Sequence, residues 1–281
     1  MKLKYLGTAA AEGIPAIFCK CASCVEARKR GDKNIRSRSQ ALVDGKLLID
    51  FNADTYMHCL KYDIDLSEVK DCLITHGHSD HFYEKDLAMR IPGFSHIGTQ
   101  PEDRFNLYGS AGVMLKANGY LSSASFLDNY YTVNELIPYT ENKVGDYTVI
   151  PLEATHDPCS SPFFYIIKGP DGKTLLYAHD TNYFSDKVWE YFEKTKVRID
   201  FASLDCTDAA TPVMGYIGHM NLNDDKKVME RLISIGCADE TTIFCCNHFS
   251  HNGTNVLYEE FSALAEEKGL LTSYDGMEIE F

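Results

Sequence analysis

Residues 76–81 read His-Gly-His-Ser-Asp-His, so four side chains that can bind a metal stand within six residues. The segment follows the apolar run 72–75 and precedes residues with helical spacing, which predicts a buried strand that ends in a loop. His76 and His78 project to the same side of a nearly extended chain and can hold one cation. Asp80 and His81 lie past the turn and reach a second cation. The spacing predicts a two-metal hydrolytic site. The alternative, a polar loop that contains several histidines by chance, explains the pattern poorly.

A dinuclear site needs more than these four ligands, and each further ligand is expected at the end of a strand, where side chains converge on one rim. His156, Asp180 and His248 each follow a segment that we predict to be a strand. His179 is expected to point to the opposite face and to be a packed histidine, because side chains alternate along a strand. Taken singly, His156 and His248 also fit the description of hydrogen-bonded core histidines, and the hexapeptide is what favours their role as ligands.

The resulting assignment divides seven residues between two cations. We expect one metal to be held by His76, His78 and His156, the other to be held by Asp80, His81 and His248, and Asp180 to bridge the two. A water between cations roughly 3.5 to 4 Å apart loses a proton near neutral pH and becomes the nucleophile. Nitrogen and oxygen ligands accept Zn, Mn or Fe, and the sequence does not choose among these metals.

Length and charge limit the class of protein. The chain has 281 residues and no linker rich in Pro, Gly or Ser, which favours a single domain over residues 1–281. Its net charge of −14 opposes binding to a polyphosphate backbone, so nucleic acid is not an expected partner. The N-terminus is predicted to be a strand rather than a secretory signal, and no apolar run is long enough to span a membrane. Ten cysteines, three of them clustered, favour a reducing compartment, and we expect a cytoplasmic protein.

Strands and helices alternate along the sequence, which predicts a layered α/β domain. Strands are expected at 2–7, 41–50 (with an Asp-Gly turn), 147–154, 163–168, 174–179, 199–204 and 242–246. Helices are expected at 53–61, 83–90, 111–118, 185–194, 221–236 and 255–268, and a hairpin is expected at 270–281. The pattern weakens between residues 91 and 146, where the sequence indicates either a lid or specificity insertion or a set of peripheral strands.

The hexapeptide matches the His-x-His-x-Asp-His signature of the metallo-β-lactamase superfamily. The order of His156, Asp180 and His248 along the chain is similar to that of metallo-β-lactamase-fold phosphodiesterases. Asp180, in the bridging position, distinguishes the chain from true β-lactamases, which lack that carboxylate. The fold that this resemblance implies is a four-layer αββα sandwich, with two mixed sheets flanked by helices, over essentially the whole chain.

Within that superfamily the chain resembles the phosphoribosyl 1,2-cyclic phosphate phosphodiesterases of the carbon-phosphorus lyase pathway. Four features carry this resemblance: Leu6-Gly7-Thr8 followed by Glu12-Gly13-Ile14-Pro15; the Cys19-x-Cys21-x-x-Cys24 cluster; His248-Phe249-Ser250-His251; and the ending Asp275-Gly276-Met277-Glu278-Ile279. The resemblance implies hydrolysis of a small cyclic phosphate ester.

The cysteine cluster suggests a second kind of metal site. Cys19, Cys21 and Cys24 suit tetrahedral zinc but supply only three ligands. The resembling family supplies its fourth ligand from the position of His251. A structural zinc at this place would join the N-terminal loop to the loop that carries His248. The alternative is a group of free, buried cysteines.

His219 is the candidate general acid, because cleavage of a phosphodiester calls for a proton on the leaving oxygen. It lies just before a helix that Asn221 is expected to cap, where the positive end of the helix dipole favours release of a proton. The resembling family has a histidine with a general-acid role at this place, whereas the alternative is a capping or surface histidine. Asp80 is the second candidate catalytic residue, in addition to its role as a ligand.

Other charged residues admit two interpretations each. Asp50 closes an early strand, and is either a carboxylate behind the metal ligands, as the superfamily often has, or an ordinary turn residue. Arg36, Arg38 and Arg90 are either clamps for a substrate phosphate or, as is more common, solvated surface residues.

These observations predict a dinuclear metal-dependent phosphodiesterase that hydrolyses a small, cyclic phosphate ester by attack of a metal-bridging hydroxide. The expected cofactors are two divalent ions, Zn, Mn or Fe, and one structural zinc. The expected partner is the phosphate ester, and a homodimer is left open. The alternatives are an RNA-processing nuclease of the same fold, which would need a basic binding arm, and a non-catalytic binding or carrier protein in cofactor biosynthesis.

Overall fold

The computed structural model describes residues 1–98, 100–122, 129–212 and 218–281. Fourteen strands are found there: β1 Lys2–Gly7, β2 Gln40–Val43, β3 Leu47–Ile49, β4 Asp71–Leu73, β5 Phe105–Gly109, β6 Tyr131–Glu135, β7 Asn142–Val144, β8 Tyr147–Glu153, β9 Phe163–Lys168, β10 Thr174–Ala178, β11 Phe201–Asp205, β12 Ile243–Asn247, β13 Leu271–Thr272 and β14 Glu278–Glu280. The α-helices in the same part of the chain are α1 Ala22–Arg30, α2 Thr55–Tyr62, α3 Ala111–Leu121, α4 Asp186–Thr195, α5 Leu222–Ser234 and α6 Tyr258–Glu266.

The strands form two seven-stranded mixed sheets, in the orders β14-β1-β2-β3-β4-β5-β6 and β13-β12-β11-β10-β9-β8-β7. In the first sheet, the pairings from β14 to β3 are antiparallel and those from β3 to β6 are parallel. The second sheet repeats this pattern, antiparallel from β7 to β10 and parallel from β10 to β13. The two sheets therefore share the same order of antiparallel and parallel pairings, although the sequence contains no detectable repeat.

Three clusters of buried apolar side chains separate four layers. Between the sheets lie residues such as Tyr5 and Tyr165. Helices α4, α5 and α6 cover the outer face of the second sheet, where Val188 and Phe192 are fully buried. Helix α3 covers the first sheet through residues such as Val113. Burial of each side chain of this size contributes about 1.5 to 3 kcal/mol to the stability of the fold. The four layers confirm the αββα sandwich expected from the sequence.

Local signals account for several boundaries. The turn between β2 and β3 has positive φ at Asp44 and Gly45, as a tight hairpin between antiparallel strands requires. Asn221 caps α5 by accepting hydrogen bonds from the amides of Asn223 and Asp224. Helix α4 buries Val188, Trp189 and Phe192 along one face, as the sequence predicts.

Other expectations were wrong. Residues 270–281 do not form a hairpin, because β13 pairs with β12 in one sheet while β14 pairs with β1 in the other. Helix α1 was not predicted at all, whereas the helix expected at 83–90 is present as a 3-10 helix, Glu84–Arg90. Helix α1 has little apolar periodicity to reveal it, because only Cys24 and Ala27 are buried along its length.

The segment 91–146 supplies β5 and β6 to the first sheet and β7 to the second, with α3 between β5 and β6. Peripheral strands, one of the two interpretations of this segment, are therefore present. Residues 99 and 123–128 lie outside the described residues, and a lid role for the rest of the segment stays a prediction. None of the helices that the structure describes combines the length and the apolar character needed to cross a membrane.

Candidate metal centre and active site

The candidate site lies on one rim, where strands of both sheets end. Asp50 and His248 directly follow β3 and β12, and Asp180 lies two residues after the end of β10. All three adopt positive φ, at 67°, 51° and 64° in the order Asp50, Asp180, His248. This left-handed conformation costs a residue with a side chain on the order of 1 to 3 kcal/mol. Its occurrence at three strand ends on the same rim indicates that the surrounding structure holds these side chains in place against strain.

The first predicted group of histidines is assembled. His76 lies three residues after the end of β4, and Nδ1 of His78 lies 3.3 Å from Nε2 of His156. One nitrogen from each of the three rings lies within 4.8 Å of the others, so a single ion can be shared among them. The His76 and His78 rings lie 4.5 Å apart, in agreement with projection to one side of an extended segment.

The second predicted group is also assembled. Nε2 of His248 lies 3.3 Å from Nε2 of His81, and Oδ2 of Asp80 lies 3.3 Å from the same nitrogen of His81. Asp180 stands between the groups. Its Oδ2 is 2.8 Å from Nε2 of His81 and 3.0 Å from Nε2 of His248, whereas its Oδ1 is 3.6 Å from Nε2 of His156. Each oxygen of this carboxylate therefore faces a different group, which is the arrangement that a bridging ligand needs.

In each histidine of the two groups, the ring nitrogen that faces away from the other donors contacts an oxygen atom of a residue outside the group. The pairs are His76 Nδ1 with Thr75 Oγ1 (3.2 Å), His78 Nε2 with Asp157 Oδ2 (3.2 Å), His81 Nδ1 with Asp50 Oδ2 (2.7 Å), His156 Nδ1 with the Gly218 carbonyl (3.2 Å) and His248 Nδ1 with Thr207 Oγ1 (2.8 Å). Such contacts fix the tautomer and orientation of metal-binding histidines. The remaining nitrogen of each ring is thereby left with a lone pair for an ion.

Two observations test whether the residues fit a cation. Nε2 of His76 is buried without a hydrogen-bond partner among the described residues, a state that is costly unless something else satisfies it. Burial opposes protonation of His81, yet the carboxylates of Asp180, Asp50 and Asp80 outweigh it and raise the pKa of His81 well above its ordinary value. The surroundings therefore favour positive charge at this point, and the donor set fits divalent ions.

His219 contacts a buried carboxylate that the sequence did not predict. Its Nδ1 lies 3.0 Å from Oδ2 of Asp205 and 3.1 Å from Oγ1 of Thr207, the residue that also holds His248. Burial disfavours the protonated ring, but Asp205 and, behind it, Asp180 outweigh this and raise the pKa of His219 to about 9. The helix dipole was expected to favour loss of the proton, and the buried carboxylate reverses that expectation. Asp205 is the last residue of β11, so the same strand-end reasoning that found Asp180 could have found it.

The cysteine cluster forms at the start of α1. Nδ1 of His251 lies 3.6 Å from Sγ of Cys19 and 3.4 Å from Sγ of Cys21, and Cys24 completes a group whose donor atoms all lie within 4.8 Å of one another. Burial opposes ionisation of Cys21, but hydrogen bonds from the Cys24 amide and His251 outweigh it and lower the pKa of its thiol to about 6. Four donors in this arrangement suit tetrahedral zinc.

A cavity of about 490 Å³ opens onto both histidine groups. His78, Asp80, His156, Asp180 and His248 line it, and so does His219. The described contacts of His219 are all at Nδ1, which leaves Nε2 as the nitrogen that a bound molecule can reach. His179 is buried instead and contacts Ser203 and Asn247, in agreement with a packed histidine.

The three arginines do not line this cavity. The guanidinium of Arg36 is buried over the ring of Phe249 and donates to Thr8, while Arg38 pairs with Asp54. Arg90 lines a separate cavity and donates to the Asp103 carbonyl. The clamping role considered for these residues has no support in their positions.

Comparison with known proteins identifies the family. A family model described as the beta-lactamase superfamily domain matches residues 49–238, more than half of the chain. Comparison with curated protein sequences finds no significant match.

Solved structures resemble the whole chain at low sequence identity. The alignment with a new diphosphatase from the PhnP family spans 100% of this chain and 97% of the diphosphatase chain, with a TM-score of 0.73 and 20% sequence identity. Zn²⁺-bound PqqB from Methylobacterium extorquens covers 100% of both chains, with a TM-score of 0.73 and 17% identity. Human tRNase Z, short form, covers 100% of this chain and 99% of its own, with a TM-score of 0.63 and 15% identity. At these identities the likeness shows the fold, and together with the family match it establishes that the chain belongs to the metallo-β-lactamase superfamily of metal-dependent hydrolases.

Proposed function

We propose that this chain is a dinuclear metal-dependent phosphodiesterase that hydrolyses a small, cyclic phosphate ester. The observation that carries the proposal is the Asp180 carboxylate, with Oδ2 within 3.0 Å of His81 and His248 and Oδ1 3.6 Å from His156. A carboxylate whose two oxygens face different groups of donors could be shared by two ions.

The ligand roles follow the grouping of the side chains. One ion is assigned to His76, His78 and His156, the other to Asp80, His81 and His248, and Asp180 is assigned to both. The nitrogen and oxygen donors suit Zn, Mn or Fe. Two such ions would supply a water nucleophile at neutral pH and positive charge at the phosphate oxygens.

The protein's own residues then prepare the reaction. The contacts at the far nitrogens keep the imidazole rings in fixed orientations, so no reorganisation is needed when the substrate binds. Asp80 is assigned to the catalytic set as a ligand that lines the cavity beside the place of reaction. His219 carries a proton that Asp205 stabilises, and we assign to its Nε2 the transfer of that proton to the leaving oxygen.

The structural zinc is a separate part of the proposal. Cys19, Cys21, Cys24 and His251 would hold it, and the metal would tie the loop before α1 to the loop that follows His248. All ten cysteines are unpaired, which supports a reducing compartment and hence the cytoplasm. The proposed partner is the small phosphate ester, with no role for nucleic acid or membrane, and a homodimer stays open.

Hydrolysis of bis(p-nitrophenyl) phosphate by protein loaded with Mn, Zn or Fe tests this function. We expect turnover by the wild type and its loss in Asp180→Asn, which keeps the side-chain shape but removes the charge shared by the two groups. Asp186→Asn, at an exposed position on α4, is the matched control and should retain activity. Absence of turnover with all three metals would contradict the proposal, and tight RNA binding that weakens steeply with salt would favour the nuclease instead.

A further inference from the structure

The cavity has a second wall that takes no part in the proposed metal site. Apart from the histidines, Asp80, Asp180 and Thr207, its lining comes from two loops, residues 10–12 and 250–252. Ala10 and Ala11 are small and leave room beside the site. Glu12, Ser250 and Asn252 place polar groups there. A substrate whose phosphate lies among the histidines therefore contacts this polar wall with its remaining part.

Glu12 holds a fixed position on that wall. Its Oε1 accepts a short hydrogen bond from Oγ of Ser250 and lies 3.7 Å from Nε2 of His251. His251 is itself held through Nδ1 by the cysteine cluster. The described contacts of Glu12 are all at Oε1, so Oε2 is the oxygen that a bound molecule can reach. With 30% of its side chain exposed, the carboxylate is open to the cavity while its neighbours fix its orientation.

No lysine or arginine among the described residues lines this cavity, and the residues outside the description include neither amino acid. The guanidinium of Arg38 is not among the lining residues, and it donates to the Ala11 carbonyl and pairs with Asp54. That of Arg28 donates to the carbonyls of Cys19 and Cys24. Positive charge for an anionic substrate therefore comes from the proposed ions and from the protonated ring of His219, all at the end of the cavity where the histidines lie.

From this distribution of charge we infer that the part of the substrate beyond the reacting phosphate is neutral and bears hydroxyl groups, and that Glu12 is the residue that selects it. A carboxylate accepts hydrogen bonds from sugar hydroxyls. The same carboxylate repels a second phosphate or carboxylate at this wall, which has no lysine or arginine to offset it. This inference rests on the proposed phosphodiesterase function and narrows it to substrates with a single phosphate, which excludes sugars that carry another phosphate.

A matched pair of esters tests the selection. Ribose 1,2-cyclic phosphate and its 5-phosphorylated counterpart share the reacting group and differ only in the second phosphate. We expect the wild type to have a kcat/KM about tenfold higher for the neutral sugar, and Glu12→Gln to reduce this preference about tenfold, mainly through KM. Gln keeps an oxygen that accepts the hydrogen bond of Ser250, so the loop is not disturbed. Glu190→Gln, which removes one negative charge at an exposed position on α4, should leave the preference unchanged.

Binding supplies a readout that does not depend on turnover. In calorimetric titrations, the wild type should bind ribose 1-phosphate more tightly than ribose 1,5-bisphosphate. The affinity for the bisphosphate should rise about tenfold in Glu12→Gln. A wild type that prefers the 5-phosphorylated ester, with a preference that Glu12→Gln does not alter, overturns the inference. That result is distinct from failure of the proposed function, in which bis(p-nitrophenyl) phosphate and both sugar esters all remain intact with every metal.

Discussion

Oδ2 of Asp50 lies 2.7 Å from Nδ1 of His81, and neither side chain is exposed to solvent. Oδ1 of Asp50 also accepts hydrogen bonds from the amide and the hydroxyl of Thr75, the residue before the hexapeptide. This one carboxylate therefore orients a proposed ligand and anchors the end of the strand that delivers the others. Its contacts favour the interpretation of Asp50 as a carboxylate behind the metal ligands over that of an ordinary turn residue.

Replacement of Asp50 tests that interpretation. We expect Asp50→Asn to weaken the binding of active-site metal by about 10- to 100-fold, because the amide no longer offers a charged acceptor to His81. Competition with a chelator of known affinity measures the effect. Asp71→Asn is the control and should bind metal normally, because Asp71 begins β4, at the end of that strand far from the hexapeptide. Equal metal affinity in both variants would contradict the role of Asp50.

His219 should matter most when the leaving group is poor. We expect His219→Ala to slow hydrolysis of an alkyl phosphodiester by about 10²- to 10⁴-fold, because the departing alkoxide then receives no proton. A nitrophenyl ester should be affected far less, since nitrophenolate leaves without one. The comparison of kcat for the two esters at saturating metal measures the difference. An equal loss on both esters would point to a structural role for the imidazole rather than to proton transfer.

The cysteine cluster can be tested without reference to turnover. Elemental analysis of Cys21→Ser should find about one zinc atom fewer per chain than in the wild type, because a hydroxyl is a poor zinc ligand. Its midpoint of thermal unfolding should fall as well, since zinc binding contributes to folding. Cys159→Ser, at an exposed cysteine outside the cluster, serves as the control. Unchanged zinc content in Cys21→Ser would leave the cluster as free cysteines.

Asp225 predicts a pH dependence of stability. It is fully buried beside the thiols of Cys206 and Cys246, and burial raises the pKa of its carboxyl well above the ordinary value. The folded state therefore holds a proton that the unfolded state has lost once the pH exceeds about 4, and stability falls as the pH rises from there toward the folded pKa. The slope from this one residue reaches about 1.4 kcal/mol per pH unit.

Asp225→Asn should abolish that contribution, because an amide does not ionise. Urea unfolding of the two proteins at a series of pH values, with the same metal content, should show a difference in favour of the variant that grows above pH 4 and vanishes below it. The exposed Asp186→Asn, in the first turn of α4, should change stability by less than about 1 kcal/mol and in the opposite direction. A constant difference between wild type and Asp225→Asn across the pH range would contradict the prediction.

The sequence alone allowed much of the site to be predicted, because its signals are local. The two-residue spacing of His76 and His78 is enough to place both side chains on one side of an extended segment. The spacing of the cysteines near the start of α1 likewise indicates a metal site without reference to the rest of the fold. His156, Asp180 and His248 were found by a rule about strand ends, and the structure brings their side chains to one rim. The fold was predictable for the same reason, since alternating strands and helices together with a superfamily signature leave few arrangements.

Only the tertiary structure shows which strands pair and which residues of distant loops come into contact. β13 and β14 follow each other in sequence, yet they lie in different sheets, and no local pattern distinguishes that outcome from a hairpin. Asp205 and Glu12 gained their significance from partners that folding brought close, His219 in one case and Ser250 in the other. Periodicity and spacing report which way a side chain points within its own element. Which residues it meets is set by the packing of whole layers. The proposed metal ligands could therefore be predicted from the sequence, whereas the contact of Asp205 with His219 and the place of Glu12 in the cavity wall could not.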